Sequence, residues 1–403
     1  MTSARGEDAK SRRVLFVMGS GISLESGAPD VRRLTKRILS ADNELIPRWF
    51  QRVDGDKEVL GILDFLKLLK REHERTGEEA NYEDLFSLCQ RIYEHEVGMA
   101  TDSSIIRFRD HIYRESAHLW KFYSDGGYLG EAPLGAIADR ATFMIADCLK
   151  TILSSYQNPQ GLNLITETIQ ALGTKSVDVV TLNHDRLLEY HLDASNVEYT
   201  CGFDPSINRD GEVDFFDETA FIFTNKVRII KLHGSCEWLR LGKKVGEQST
   251  LWRWGLPNET AEWHEHLKDA DGNHLTDNPF DRSILTGSTT KTTAYTRGIF
   301  GDLYIEARKL MREHDTIICS GYGWKDDGFN WMIKEWAEHD LGRRLVLLHD
   351  RERDDFENRK PWLWPDGWKW GNPVGWLNWH PHWLSDTTFS DIENHITNTK
   401  NNA

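Results

Sequence analysis

Five short apolar runs constrain this chain more than any other feature: Val14 to Met18, Val177 to Leu182, Val227 to Leu232, Thr316 to Cys319 and Leu345 to Leu348. They do not alternate apolar with polar residues, as a strand with one wet face does, and so read as strands of a parallel sheet covered on both faces. Each run ends in small or polar residues: Gly19-Ser20-Gly21, Asn183-His184-Asp185, His233-Gly234-Ser235, Ser320-Gly321-Tyr322-Gly323 and His349-Asp350. Ligands of open α/β sheets sit outside the carboxyl ends of the strands, which makes these tails the natural lining of one site.

Between the first two runs lies a long stretch, about 41 to 160, with helical periodicity. Leu85, Leu88, Cys89 and Ile92 recur at i, i+3, i+4 and i+7, and Ile105 to Phe122 and Phe143 to Leu153 behave similarly. The expected fold is therefore α/β, a Rossmann-like parallel sheet with a large helical insertion after the first strand. A polar, Gly/Thr-rich stretch from about Lys243 to Arg297 reads as a second, partly irregular excursion. Seven of the 16 tryptophans fall between Trp362 and Trp383, interleaved with prolines that forbid a regular helix there. This stripe reads as a subunit or partner contact, or as a small core.

Composition narrows the function classes. A chain of 403 residues with 39% hydrophobic content can bury a large core. Its net charge of −15 repels phosphate backbones, which speaks against direct nucleic-acid binding. The five cysteines, at 89, 148, 201, 236 and 319, never approach a C-x-x-C spacing, so a zinc ribbon is excluded and a reducing compartment fits. Met1 to Arg13 is charged, without the apolar run of a signal peptide, and no stretch is apolar enough to span a membrane. A soluble cytoplasmic protein is expected.

The strongest motif is Gly19-Ser20-Gly21-Ile22-Ser23-Leu24-Glu25-Ser26-Gly27-Ala28-Pro29-Asp30-Val31-Arg32. Glycines directly after a first strand let backbone N–H groups approach a pyrophosphate, and a following helix N-terminus stabilises its charge, so a nucleotide is the expected guest. Leu24 stands where G-x-G-x-x-G needs its third glycine, which disfavours an ordinary hydride-transfer site.

These residues resemble the first motif of the sirtuin family, G-A-G-I-S-x-x-S-G-I-P-D-F-R. Two more motifs follow in order: Thr181-Leu182-Asn183-His184-Asp185 resembles T-Q-N-I-D, and Leu232-His233-Gly234 resembles the L-H-G that carries the catalytic histidine. Ser320 to Asp327 is similar to the G-Y-S-x-x-D segment of bacterial sirtuin-like proteins. The resemblance implies a catalytic domain over 13–40 and 161–350, a helical insertion over 41–160, a Trp-rich C-terminal extension over 351–403 and a disordered N-terminus over 1–12. Carried over residue by residue, it implies that Gly19, Ser20, Gly21 and Ser23 hold the phosphates and ribose of NAD, with Asp30 and Arg32 ordering the loop over the nicotinamide half. Asn183 would contact the ribose or an attacking water, Asp185 the carboxamide, and Gly321, Tyr322 and Gly323 the adenosine ribose. His233 would be the general base, a role its ordinary pKa of about 6.5 permits at cellular pH.

Three departures bear on the activity implied. The four-cysteine zinc module of the deacetylases has no counterpart, Val31 replaces the phenylalanine of P-D-F-R, and Leu182 replaces the glutamine of T-Q-N-I-D. The first weakens the acyl-lysine cleft; the second leaves C1′ of the ribose less shielded from water. The resemblance thus points to the bacterial NAD-hydrolase branch, an NAD+ glycohydrolase that depletes NAD as an effector of anti-phage defence and abortive infection. The alternatives are a protein deacylase or ADP-ribosyltransferase, and a non-catalytic NAD-binding sensor. Such an enzyme has to be gated, by a homo-oligomer, a HerA-type ATPase or other defence partner, or a nucleotide signal. NAD is substrate, and no metal is expected: His264-Glu265-His266 and His380-Pro381-His382 lack further ligands at metal-site spacing. Asn183 and Asp185 could also cap a helix from Arg186 to Leu192, and Asp326-Asp327 opens one running to Glu338.

Overall fold

The computed structural model describes residues 13–40, 55–99, 103–122, 133–222, 224–245, 249–258, 267–278, 282–287, 291–340, 342–350 and 377–397. The strands are β1 (Val14–Met18), β2 (Val177–Thr181), β3 (Tyr199–Thr200), β4 (Arg209–Asp210), β5 (Val213–Phe215), β6 (Val227–Lys231), β7 (Leu239–Val245), β8 (Ser249–Pro257), β9 (Thr276–Asp277), β10 (Thr316–Ser320), β11 (Arg344–Leu348) and β12 (Leu377–His380). The helices are α1 (Val31–Leu39), α2 (Gly55–Glu74), α3 (Tyr82–Glu96), α4 (Ile106–Glu115), α5 (Pro133–Ser154), α6 (Asn163–Leu172), α7 (Leu187–Ala194), α8 (Pro205–Asn208), α9 (Lys291–Ala294), α10 (Gly298–Glu313), α11 (Asp327–His339) and α12 (Phe389–Thr397).

Seven strands form a parallel sheet in the order β12-β11-β10-β1-β2-β6-β3, which is the expected mixed α/β architecture. The five runs read from the sequence are its five central members. Their lack of alternation has the expected cause, since every residue of β1, β2 and β10 is buried. Leu15, Val17, Val180, Ile230 and Ile317 point to one face, where α10 and α11 supply Leu303, Ala307, Ile333 and Trp336. Val14, Phe16, Val179, Ile229 and Ile318 point to the other and meet Leu164 and Ile165 of α6, Leu188 of α7 and Ile392 of α12.

The insertion builds a core of its own. Leu63 and Leu66 of α2, Leu85, Cys89 and Ile92 of α3, and Ile137, Ala141 and Leu149 of α5 pack together, joined by Leu34 and Ile38 of α1. The capping box at Asn81 and Asp84 fixes where α3 begins.

The partly irregular excursion read from Lys243 contains much of the β7–β8 hairpin, the centre of a five-stranded antiparallel sheet ordered β4-β5-β8-β7-β9. Its apolar residues are the alternating Leu239 and Leu241, buried in a small core with Val213 and Phe215. Part of the chain assigned to a separate C-terminal extension belongs to the main sheet. There β12 pairs with β11, and Leu384, Ile392 and Ile396 are buried against it, each side chain contributing roughly 1.5–3 kcal/mol. The N-terminal stretch 1–12, the H-x-H pair at 264–266 and the tryptophans from 362 to 376 lie outside the described residues.

Candidate active site at the carboxyl ends of the parallel strands

The sheet sets all five tails side by side. Leu182 N donates to Met18 O and Leu232 N to Thr181 O, each at 2.9 Å, so β1, β2 and β6 stay paired until their polar residues begin. From β1 the chain builds outward first through β2 and β6, and only later through β10 and β11 on the other side. The switch in strand order lies between β1 and β10, where a crevice is expected. At the usual ~4.8 Å between strands, the tails of β10, β1, β2 and β6 span about 15 Å.

At the switch the backbones of two turns touch. Gly19 N donates to Ser320 O (3.0 Å) and Gly21 N to Gly321 O (2.9 Å). A Cβ on Gly19 would lie 2.5 Å from Gly321 O, and one on Gly321, whose φ is +65°, would lie 2.5 Å from Ile22 N. The glycines are thus required by the joint between β1 and β10, and in this conformation these two N–H groups serve the fold. The helix expected directly after the glycine pair is only a 3-10 turn, Ser20–Ser23, while α1 begins at Val31. Gly27 at φ +83° and Pro29 separate the two. Asp30 caps α1 by accepting from Arg33 N at 2.8 Å, and Arg32 is exposed and pairs with Glu79 at 3.2 Å. No hydrogen bond or ion pair described for either reaches the remaining site residues.

At the ends of β1 and β2, Ser23, Asn183 and Asp185 are brought together. Asn183 Nδ2 donates to Ser23 Oγ (3.0 Å), and Ser23 Oγ donates to Asp185 Oδ2 (2.8 Å). Asp185 Oδ1 accepts from Leu187 N, the first residue of α7, at 3.1 Å, while the N-cap position itself is Arg186. Beneath it, the buried Lys231 ammonium donates to Asp185 O (2.5 Å) and to Glu189 Oε1 (2.6 Å). Burial outweighs these partners and raises the Asp185 carboxyl above its ordinary pKa.

At the end of β6 stands His233, 4% exposed. Its Nε2 lies 2.8 Å from Asp326 Oδ2 and 2.9 Å from Tyr295 Oη, and Tyr295 donates to the same carboxylate oxygen at 2.5 Å. Asp326 is buried, yet its hydrogen bond and attraction to His233 overcome desolvation and hold its pKa far below the ordinary range. An ionised carboxylate only accepts, which places the imidazole proton on Nε2 and leaves the lone pair on Nδ1. Desolvation, with the charge of Lys291, lowers the pKa of His233, so the ring is a neutral base at physiological pH. Asp326 also accepts from Phe329 N (3.0 Å), capping α11, while Tyr322 donates to Asn330 Oδ1 (2.7 Å) and to Asp326 O (3.1 Å). Tyr322 therefore steadies the start of α11, whereas Gly323 is exposed.

Reading the sequence placed Asp326 only as a helix cap and did not find Tyr295, Lys291 or His184 as neighbours of His233. The His184 ring lies 6.1 Å from that of His233, between centroids, and is kept neutral by burial. Asn183 Oδ1, His184 Nδ1 and Ser320 Oγ are buried with no hydrogen-bond partner. Orphaned polar atoms in this row are groups that a polar ligand would satisfy. The space at the ends of β10 and β11, lined by Ser320, Gly321, Leu348 and His349, holds only about 10 Å³. Cavities of about 530 Å³, beside α7 and Trp238, and about 620 Å³, beside Arg32, Lys36, Lys70 and Lys325, lie elsewhere. Among the described residues no three His, Cys, Asp or Glu side chains gather as a metal would require, and no helix is long and apolar enough to cross a membrane.

Among curated proteins none matches the chain. Similar solved structures include a Sir2 bound to the inhibitor EX-527, 2′-O-acetyl-ADP-ribose and a deacetylated p53 peptide, at 11% identity over 95% of this chain and 94% of that one, with a TM-score of 0.35. Another is a Sir2 homologue in complex with NAD, at 10% identity over 96% of this chain and 90% of that one, with a TM-score of 0.36. A family profile described as a SIR2-like domain matches residues 177–365, just under half of the chain. The matched span holds β2, β6, β10 and β11, and with them Asn183, Asp185, His233, Tyr295 and Asp326.

Proposed function

We propose that the chain is an NAD+ glycohydrolase. The observation that carries this reading is a neutral imidazole, His233, oriented by an ionised Asp326 and by Tyr295, and standing one strand away from the orphaned amide oxygen of Asn183. In the reaction the N-glycosidic bond breaks, its electron pair leaves with neutral nicotinamide, and positive charge builds on the ribose. Water attacks C1′ and gives its proton to Nδ1 of His233, which releases it to solvent; the products are nicotinamide, ADP-ribose and a proton. Asp326 stabilises the imidazolium that forms, a role for a fixed charge in a dry site. Asn183 and Ser320 would meet ribose hydroxyls or the water, Asp185 the carboxamide, and Ser20, Ser23 and Gly323 the phosphates and second ribose.

The absence of any C-x-x-C pair for the zinc module of the deacetylases, and Val31 in place of the motif phenylalanine, support hydrolysis over acyl transfer. The burial of His233 suits a gated effector that acts in defence through self-association or a partner. The test follows nicotinamide release by the chain in its activated assembly. Release from NAD+ alone supports the reading, release only with an acylated peptide makes the chain a deacylase, and no release under either condition makes it a sensor.

A further inference from the structure

The insertion touches the histidine's supports at two adjacent residues. The buried Tyr82 side chain, first in α3, interacts with Thr286, whose neighbour Leu285 donates its N–H to His233 O at 2.8 Å. Glu83, the next residue, accepts from the buried Lys291 ammonium at 3.0 Å. Lys291 opens the same short helix, α9, that carries Tyr295 to the histidine ring. Tyr82 and Glu83 therefore grip both flanks of the segment that holds His233, although they belong to a different core. They are themselves anchored, since Tyr82 N donates to Thr35 Oγ1 of α1 at 3.0 Å.

We propose that Glu83 is a positioning residue for His233: it neutralises Lys291 and, with Tyr82, fixes the segment that orients the imidazole, so that displacement of the insertion changes the charge around the base and its aim together. The inference rests on His233 being the base of the proposed reaction and names what regulates it. The groups facing His233 are Asp326 at the start of α11, Lys291 on α9, Tyr295 directly after it, His184 after β2, and Glu83 on α3. Lys291 is a cation close enough to oppose protonation of both His233 and His184. With Glu83 withdrawn, that cation is uncompensated and the base weakens. With Glu83 seated, part of the effect of Lys291 on the ring is offset.

A charge cycle on the full chain tests this without requiring any turnover. The His233 ring is titrated by NMR, its signal being the one missing from His233→Ala, in wild type, Glu83→Gln, Lys291→Met and the double variant. Lys291→Met should raise the midpoint by about one pH unit and Glu83→Gln lower it by less, with the double variant between Lys291→Met and wild type. A merely structural contact would not give shifts of opposite sign. Equal titration in all four proteins, or shifts of the same sign in both single variants, overturns the proposal. Should Glu83→Gln not fold alone, the double variant is compared with Lys291→Met: a lower midpoint in the double variant supports the proposal and an equal one sinks it. Glu83→Asp, which keeps the charge, should titrate as wild type. Because the readout is the ring itself, a failure here is distinguishable from a failure of the NAD-cleavage reading, which the nicotinamide assay reports separately.

Discussion

Two buried aspartates on neighbouring ends of one sheet hold opposite electrostatic states. Asp185, after β2, receives one hydroxyl and one backbone N–H, and burial raises its carboxyl pKa. Asp326, after β10, is as deeply buried but faces an imidazole and a phenol as well as a backbone N–H, and its pKa is driven down. Depth is equal, so partners decide. One carboxyl is suited to a neutral polar group such as an amide, and the other to stabilising a cation that appears during reaction.

The sharpest way to break this contrast is to remove the cation. His233→Ala should lower NAD cleavage by about 10²–10⁴-fold, the usual contribution of a general base, with the fold retained by circular dichroism. Turnover near that of wild type would leave Asp326 without a catalytic purpose. Next comes Asp326→Asn, which removes the charge and, with one acceptor oxygen in place of two, keeps either the α11 cap or the bonds to His233 and Tyr295 but not both. A hydrogen bond to a charged group is worth about 1.5–3 kcal/mol, so kcat/KM should fall roughly 10- to 100-fold. Asp185→Asn should change it less than about fivefold, since an amide replaces a carboxyl whose charge is already disfavoured. Equal losses in the two variants would show that the aspartates are not distinct in role.

Stability against pH sharpens the same point. Asp326 binds its proton more weakly folded than unfolded, so its stabilisation is full above the ordinary carboxylate pKa of about 3.9 and is lost as pH falls toward its folded value. Asp185 binds its proton more tightly folded, so stability declines as pH rises from about 3.9 through its raised value. In urea unfolding followed from acid to neutral pH, Asp326→Asn should flatten the rise below about pH 4, and Asp185→Asn should remove a decline just above it. The second effect is the smaller.

The sequence was legible where interactions are local or periodic. The unbroken apolar character of Val14 to Met18 and Thr316 to Cys319 reflects burial on both faces, so the central strands could be read directly, as could the register of Leu85, Cys89 and Ile92 on one side of α3. What closes the site was not legible. Asp326 reaches His233 across 93 residues and Lys291 reaches Glu83 across 208, and no spacing rule connects such pairs. Asp326 showed only its local role, because a helix cap is visible three residues away and an imidazole is not. The β7–β8 hairpin did leave a trace in the alternation of Leu239 and Leu241, masked by the lysines and glycine around them.

The position of β1 fixes an order of events during synthesis. It is the central strand and the first to be made, yet it pairs with β2 and β10, whose registers join Val14 to Val177 and to Thr316. The insertion closes its core largely within itself, with α1, and can condense while most of the sheet is still untranslated. A nascent chain therefore presents a folded helical body beside a bare apolar strand that waits for partners far downstream, the kind of surface that chaperones cover and that aggregation exploits. The cluster of His233, Tyr295 and Asp326 cannot assemble until translation has passed Asp326, and the outer strand β12 comes later still, so under the proposed function the hazard of NAD cleavage is delayed by the order in which the polypeptide is made.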